Sequence, residues 1–83
     1  MGIVKLLKYI EKSHFIDRSS ELGRKGIPYR TRWDRDTLYL LFLRLGDRDF
    51  EIRGFVNNWT FTEGEKSTSI YSTDELISLL SNL

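Results

Sequence analysis

The chain has 83 residues, of which 40% are hydrophobic and 30% are charged, and its formal net charge is +1. A chain of this length holds one hydrophobic core, so we expect a single domain over residues 1–83. The absence of cysteine excludes disulfides, zinc–thiolate sites and thiol catalysis, and the single histidine excludes a histidine-rich metal site.

The amino terminus is predicted to form an amphipathic helix. Apolar side chains recur at the spacing of one helix face, at Ile3, Leu6, Leu7 and Ile10. The lysines between them exclude a secretory signal or a membrane span, so we expect a cytoplasmic location. The helix is expected to end near Ser13, and residues 17–26 are interpreted as a loop because they show no period.

An antiparallel sheet is predicted to follow. Alternating side chains indicate an edge strand over 27–33, a nearly continuous apolar run over 37–45 indicates the central strand, and 49–56 completes a hairpin with it. After a turn at 57–58, Trp59 and Phe61 alternate with threonines and lead to a short segment at 67–71. The sheet has three or four strands, depending on whether that last segment pairs.

A second helix is predicted to begin after Ser72. Ser72 and Glu75 have the spacing of a capping box, in which each side chain bonds the backbone amide of the other residue. Tyr71 and Leu76 are expected to form the accompanying hydrophobic contact. The predicted fold class is therefore α+β, in the order α-β-β-β(-β)-α, with both helices on one face of the sheet.

This order resembles double-stranded RNA-binding domains in topology. Pro28-Tyr29 stands about where those domains often carry a Pro-x-Tyr motif in the first strand. The lysine-rich helix start that grips phosphate in that family is replaced here by Ser72-Thr73-Asp74-Glu75. Two acids at this position oppose phosphate docking, so the resemblance implies no site residue in this chain.

Catalytic and metal-binding arrangements are not supported by the sequence. His14 follows the apolar stripe of the first helix, and no spacing links it to a nucleophile or an orienting acid. Asp36 with Glu51-Ile52-Arg53 loosely resembles the Asp…Glu-x-Lys pattern of a large nuclease class, but arginine stands in the place of lysine. We therefore expect no enzyme activity, no metal and no cofactor.

A basic segment offers one way of binding a macromolecule. Residues 24–35 carry about four net positive charges, from Arg24, Lys25, Arg30, Arg32 and Arg35 against one acid. Tyr29 and Trp33 lie between them and could stack on bases. On a strand, however, Arg30 and Arg32 project opposite to these rings, so either direct RNA or DNA binding or a solvated outer face is possible.

A protein partner is the preferred prediction. The chain is rich in aromatic residues, more than a small sheet with two short helices readily covers. We predict partner contacts at Trp59, Arg53 and Phe61, with Trp59 beside a turn acting either as the interface anchor or as the end of the core. The expected role is that of a small regulator, adaptor or inhibitor of a larger complex.

Two further expectations concern origin and assembly. The chain contains no alanine or glutamine, which prompts the hypothesis of an accessory protein from a virus or mobile element. Edge strands at 27–33 or 67–71 could also pair two copies across a two-fold axis.

Overall fold

The computed structural model describes residues 2–18 and 38–83, which form two helices and an open antiparallel sheet. In chain order the elements are α1 (Ile3–Lys12), β1 (Ile16–Asp17), β2 (Tyr39–Leu45), β3 (Arg48–Gly54), β4 (Trp59–Glu63), β5 (Lys66–Ile70) and α2 (Thr73–Ser81). The strands lie side by side in the order β1-β2-β3-β4-β5. The predicted α+β class with an antiparallel sheet is confirmed.

The strand count corrects the sequence prediction. The described residues form five strands rather than three or four: 67–71 pairs as β5, and both β1 and β4, which contains Trp59 and Phe61, add a strand. β1 covers only Ile16–Asp17, at the start of the segment interpreted as a loop, and two residues are too short to show an alternating pattern. Among the described strands β3 is the middle one rather than β2, and the predicted edge strand 27–33 lies outside the described residues.

Two hairpin turns set the register of the sheet. Gly46 and Gly64 have φ of +65° and +60° and occupy the first position of two-residue connections, between Leu45 and Arg48 and between Glu63 and Lys66. No other described residue has a positive φ, so each connection has the dihedral pattern of a type II′ turn, which needs glycine first. The predicted hairpin between the apolar run 37–45 and the segment 49–56 is thereby confirmed, as β2 and β3.

The core lies between the two helices and one face of the sheet. Leu6 and Ile10 of α1 and Leu76 and Leu80 of α2 pack into one cluster with the inward side chains of β2 to β5. The strand members of that cluster are Leu41, Leu43, Phe50, Ile52, Trp59, Phe61 and Ile70. Both helices therefore cover the same face, as the apolar patterns predict.

The two helices are also joined at their first turns. The Gly2 amide donates a hydrogen bond to Thr73 Oγ1 at 3.1 Å, and Lys5 forms an ion pair with Asp74. At the start of α2 the Glu75 amide donates to Ser72 Oγ at 3.0 Å, which confirms the Ser72 half of the predicted capping box. The start of α2 is thus fixed both by its own cap and by α1.

Candidate partner-binding site

The connection between β3 and β4 and the residue that follows β5 form a surface that we call the corner patch. It consists of Phe55, Val56, Asn57 and Asn58 together with Tyr71. The Phe55 amide donates to the Asn58 carbonyl at 2.8 Å, which closes the loop with Val56 and Asn57 at its exposed tip. Val56 is 65% exposed and Tyr71 is 73% exposed, so two large apolar side chains face solvent here.

Two shallow clefts run through the corner patch. One, of about 270 Å³, is lined by Val56 and Tyr71, by the polar residues Asn57, Asn58, Ser72 and Thr73, and by Trp59. The other, of about 290 Å³, is formed by residues 55–58. Apolar side chains beside amide and hydroxyl groups provide both contact area and hydrogen-bonding groups, the combination that protein interfaces use.

Trp59 forms a rigid base for the first cleft. Its side chain is 1% exposed, its ring stacks on Tyr39 with centroids 6.4 Å apart, and its Nε1 donates to Thr73 Oγ1 at 3.2 Å. The close approach of β3 beneath the ring is possible because residue 54 is glycine. Of the two roles that the sequence leaves open for Trp59, the structure places it at the end of the core, directly beside the exposed loop.

The other two residues predicted to contact a partner are placed apart from each other. Phe61 is 7% exposed and packs on Phe50, with centroids 5.3 Å apart, so its ring lies inside the core. Arg53 lies on the sheet face opposite the helices and donates to Glu51 at 3.1 Å. The basic segment, which includes Arg24, Lys25, Arg30, Arg32 and Arg35, lies outside the described residues.

Sequence reasoning misses Val56 and Tyr71, the two most exposed of the large hydrophobic residues that the structure describes. The alternating pattern assigns Val56 to the end of a strand, and the capping box predicts that Tyr71 packs on Leu76. Two sequence features could have indicated this exposure. One is the turn-forming Val-Asn-Asn sequence between two alternating segments, and the other is a tyrosine directly before a helix cap, where the chain leaves the sheet.

The opposite face of the sheet carries a charge network, which we call the outer-face network, at Arg18, Arg44 and Asp49. Arg44 donates to both carboxylate oxygens of Asp49, at 3.0 and 3.1 Å, and Arg18 donates to Oδ1 at 3.0 Å. These hydrogen bonds, those from Arg44 above all, hold the pKa of Asp49 below its usual range. A carboxylate held ionised by two arginines is a poor general acid or base at neutral pH.

A cleft of about 400 Å³ lies over this network and includes Phe42, Glu51 and Thr62. A second ion pair stands near the start of β3, where Arg48 donates twice to Glu63 at 2.8 Å. That hydrogen bonding lowers the pKa of Glu63 and raises the pKa of Arg48. Both arrangements join charged side chains of neighbouring strands, so these ion pairs support the sheet.

Within residues 2–18 and 38–83, no three His, Asp or Glu side chains come close enough together to hold a metal ion. His14, just after α1, is exposed. Neither of the described helices has the length and apolar character needed to cross a membrane. The chain matches no protein-family model, no curated protein and no solved structure.

Proposed function

We propose that the chain is a non-enzymatic binding module that contacts a protein partner through the corner patch, as a regulator, adaptor or inhibitor of a larger complex. The observation that supports this most directly is that Val56 and Tyr71, both mostly exposed, line one cleft beside the buried Trp59 ring. Isolated exposed apolar residues are ordinary, but a pair that shares a cleft on a rigid base is typical of an interface anchor.

Tyrosine suits the anchor position for two reasons. Its ring buries a large apolar area at a small entropic cost, and its hydroxyl finds a polar partner at the rim. Because the neighbouring Trp59 ring is already held by Tyr39 and Thr73, binding does not require this part of the protein to reorganise. Asn57, Asn58 and Ser72 supply the polar rim.

Site-specific photocrosslinking tests the proposal even though the partner has not been identified. A photoreactive residue is placed at Val56, and a control is placed at Val4, which is 61% exposed on α1. We expect a discrete crosslinked protein from position 56 and none from position 4. Equal crosslinking from both positions would mean that the corner patch is not the contact surface.

Affinity measurements with the crosslinked partner then test the anchor. Replacing a central tyrosine anchor by alanine typically costs about 2 kcal/mol or more, so Tyr71→Ala is expected to weaken binding about 30-fold. Tyr71→Phe is the matched control and should lose far less affinity, because phenylalanine keeps the aromatic ring. Affinity should change little between about 50 and 200 mM salt, since apolar contacts dominate.

Direct RNA or DNA binding is the second candidate, supported by the charge of residues 24–35. Phosphate contacts release counterions, so such binding would weaken steeply with salt. Fluorescence anisotropy with labelled single- and double-stranded RNA and DNA, beside a variant in which Arg30, Arg32 and Arg35 are replaced, measures this. Tight, salt-sensitive binding that the variant loses would favour this function over the first.

A further inference from the structure

We propose that two copies of the chain pair antiparallel through the edge of β5 that faces away from β4, across a two-fold axis, and so form one continuous sheet. Among the described strands β5 has a neighbour, β4, on one side only, and Lys66, Ser67, Thr68 and Ser69 are all exposed. This assembly uses different residues from the corner patch and does not depend on the function proposed for that patch.

The pairing pattern shows which backbone groups the edge presents. In an antiparallel ladder, successive residues turn their N–H and C=O groups alternately to one neighbour and to the other. Phe55 donates to Asn58 directly beyond the last pair of the β3–β4 ladder. Because facing sides alternate along a strand, Thr60 and Thr62 face β3, whereas Trp59 and Phe61 face β5. Their partners Ile70 and Thr68 face β4, which leaves Ser67 and Ser69 with outward N–H and C=O groups.

This edge lacks the features that keep sheet edges from pairing. Natural edge strands are made very short, kinked by bulges, or interrupted by proline and charge. The opposite edge strand, β1, follows that rule because it has two residues. β5 has five residues, pairs with β4 one to one without a bulge, contains no proline and carries charge only at Lys66. Such an edge is expected to be covered in the working assembly.

The chemistry of the edge favours a second copy as its occupant. Ser67-Thr68-Ser69 is symmetric about Thr68, so an antiparallel copy centred there pairs Ser67 with the other Ser69 through both outward amides. In this register Lys66 faces Ile70 of the other copy, so like charges do not oppose each other. An added peptide gains specificity from side-chain pockets, and β5 lines neither the corner-patch clefts nor the cleft over the outer-face network.

Disulfide trapping tests the pairing and its register together, because the chain has no cysteine of its own. Two residues at position 68 form a non-hydrogen-bonded pair with Cα atoms about 4.5 Å apart, a distance that a disulfide spans. Thr68→Cys is therefore expected to oxidise to a covalent dimer. Position 67 is also exposed. In this register, however, the two copies of residue 67 are offset by two positions, so their Cα atoms lie beyond about 7 Å and Ser67→Cys should form several-fold less covalent dimer.

Blocking the edge provides the second test. Ser69→Pro removes one outward N–H and leaves the β4 ladder intact, whereas Ser69→Thr keeps that N–H. Sedimentation from about 1 μM to about 1 mM, the range for a small interface, should show dimers for the wild type and Ser69→Thr. Ser69→Pro should remain monomeric, with an unchanged circular dichroism spectrum.

Three results would overturn the proposal: a wild type that stays monomeric throughout this range, dimers that persist in Ser69→Pro, or equal crosslinking from positions 67 and 68. A monomer that instead gains a β-strand from another protein at β5 would also exclude the second copy. Crosslinking to a partner from position 56 is a separate readout, so either proposal can fail without the other.

Discussion

Gly54 shows how one residue fixes the end of the core. A Cβ atom at this position would lie 2.7 Å from Cζ3 of Trp59, and that ring is held between Tyr39 and Thr73. We expect Gly54→Ala to lower the free energy of unfolding by about 1–3 kcal/mol, the usual cost of overpacking. Urea denaturation measures this change. In a Trp59→Leu background the same substitution should lower the free energy of unfolding by clearly less. An equal loss in both backgrounds would show that the Trp59 ring is not what opposes the added Cβ atom.

The same contact explains why the sequence leaves the role of Trp59 open. Alternation with Thr60 and Phe61 shows that the ring shares a face with other apolar residues, but it does not show how far the helices extend over that face. A glycine inside a predicted strand is a known sign of close approach by a neighbouring group. The register that places Gly54 opposite Trp59 depends on a four-residue loop, and its pairing could not be predicted from the sequence.

At the scale of elements, the cap of α2 is the local feature that the sequence predicts best. Ser72 accepts the Glu75 amide at 3.0 Å, so Ser72→Ala should lower the free energy of unfolding by about 1 kcal/mol. Ser78→Ala makes the same substitution inside the helix, where alanine is the better helix former, and should be neutral or slightly stabilising. Thermal unfolding compares the two variants, and equal losses would contradict a capping role.

Elements are predictable where local chemistry repeats over several residues. The helices α1 and α2 and the strands β2 to β5 each carry a periodic pattern or a turn signal, and their bounds lie within a few residues of those predicted. β1 has neither, because it exists only through its partners: Ile16 pairs with Arg44 and Asp17 with Leu43. A two-residue strand depends on a distant sequence, so no local pattern indicates it.

For the molecule as a whole, the surface is less predictable than the core. Burial follows hydrophobic periodicity, whereas exposure at the corner patch depends on how a loop and a helix start meet across the sheet. Val56 and Tyr71 are 15 positions apart in the sequence and line one cleft only because β4 and β5 bring the chain back. The outer-face network likewise joins Arg18 to Asp49 across the sheet.

The ion pairs predict how stability depends on pH. The folded-state pKa values of Asp49 and Glu63 are lowered, chiefly by hydrogen bonds from Arg44 and Arg48. The stabilisation by these ion pairs is therefore complete above about pH 5, where carboxyl groups are ionised in the unfolded chain as well. It is lost as the pH falls through the lowered pKa values, because the unfolded chain binds protons more readily than the folded one. We expect the melting temperature to fall between pH 6 and pH 3.

The variant Asp49→Asn isolates the share that the outer-face network contributes. It should lower the melting temperature at pH 6. On acidification its melting temperature should fall less than that of the wild type, because Asp49, one of the two carboxylates with a lowered pKa in the described part of the chain, is gone. Glu65→Gln removes one carboxylate from the exposed β4–β5 turn and serves as the control for net charge. If Glu65→Gln altered the acid dependence as much as Asp49→Asn did, general charge repulsion rather than the Arg44 and Arg18 contacts would set the acid limit of the fold.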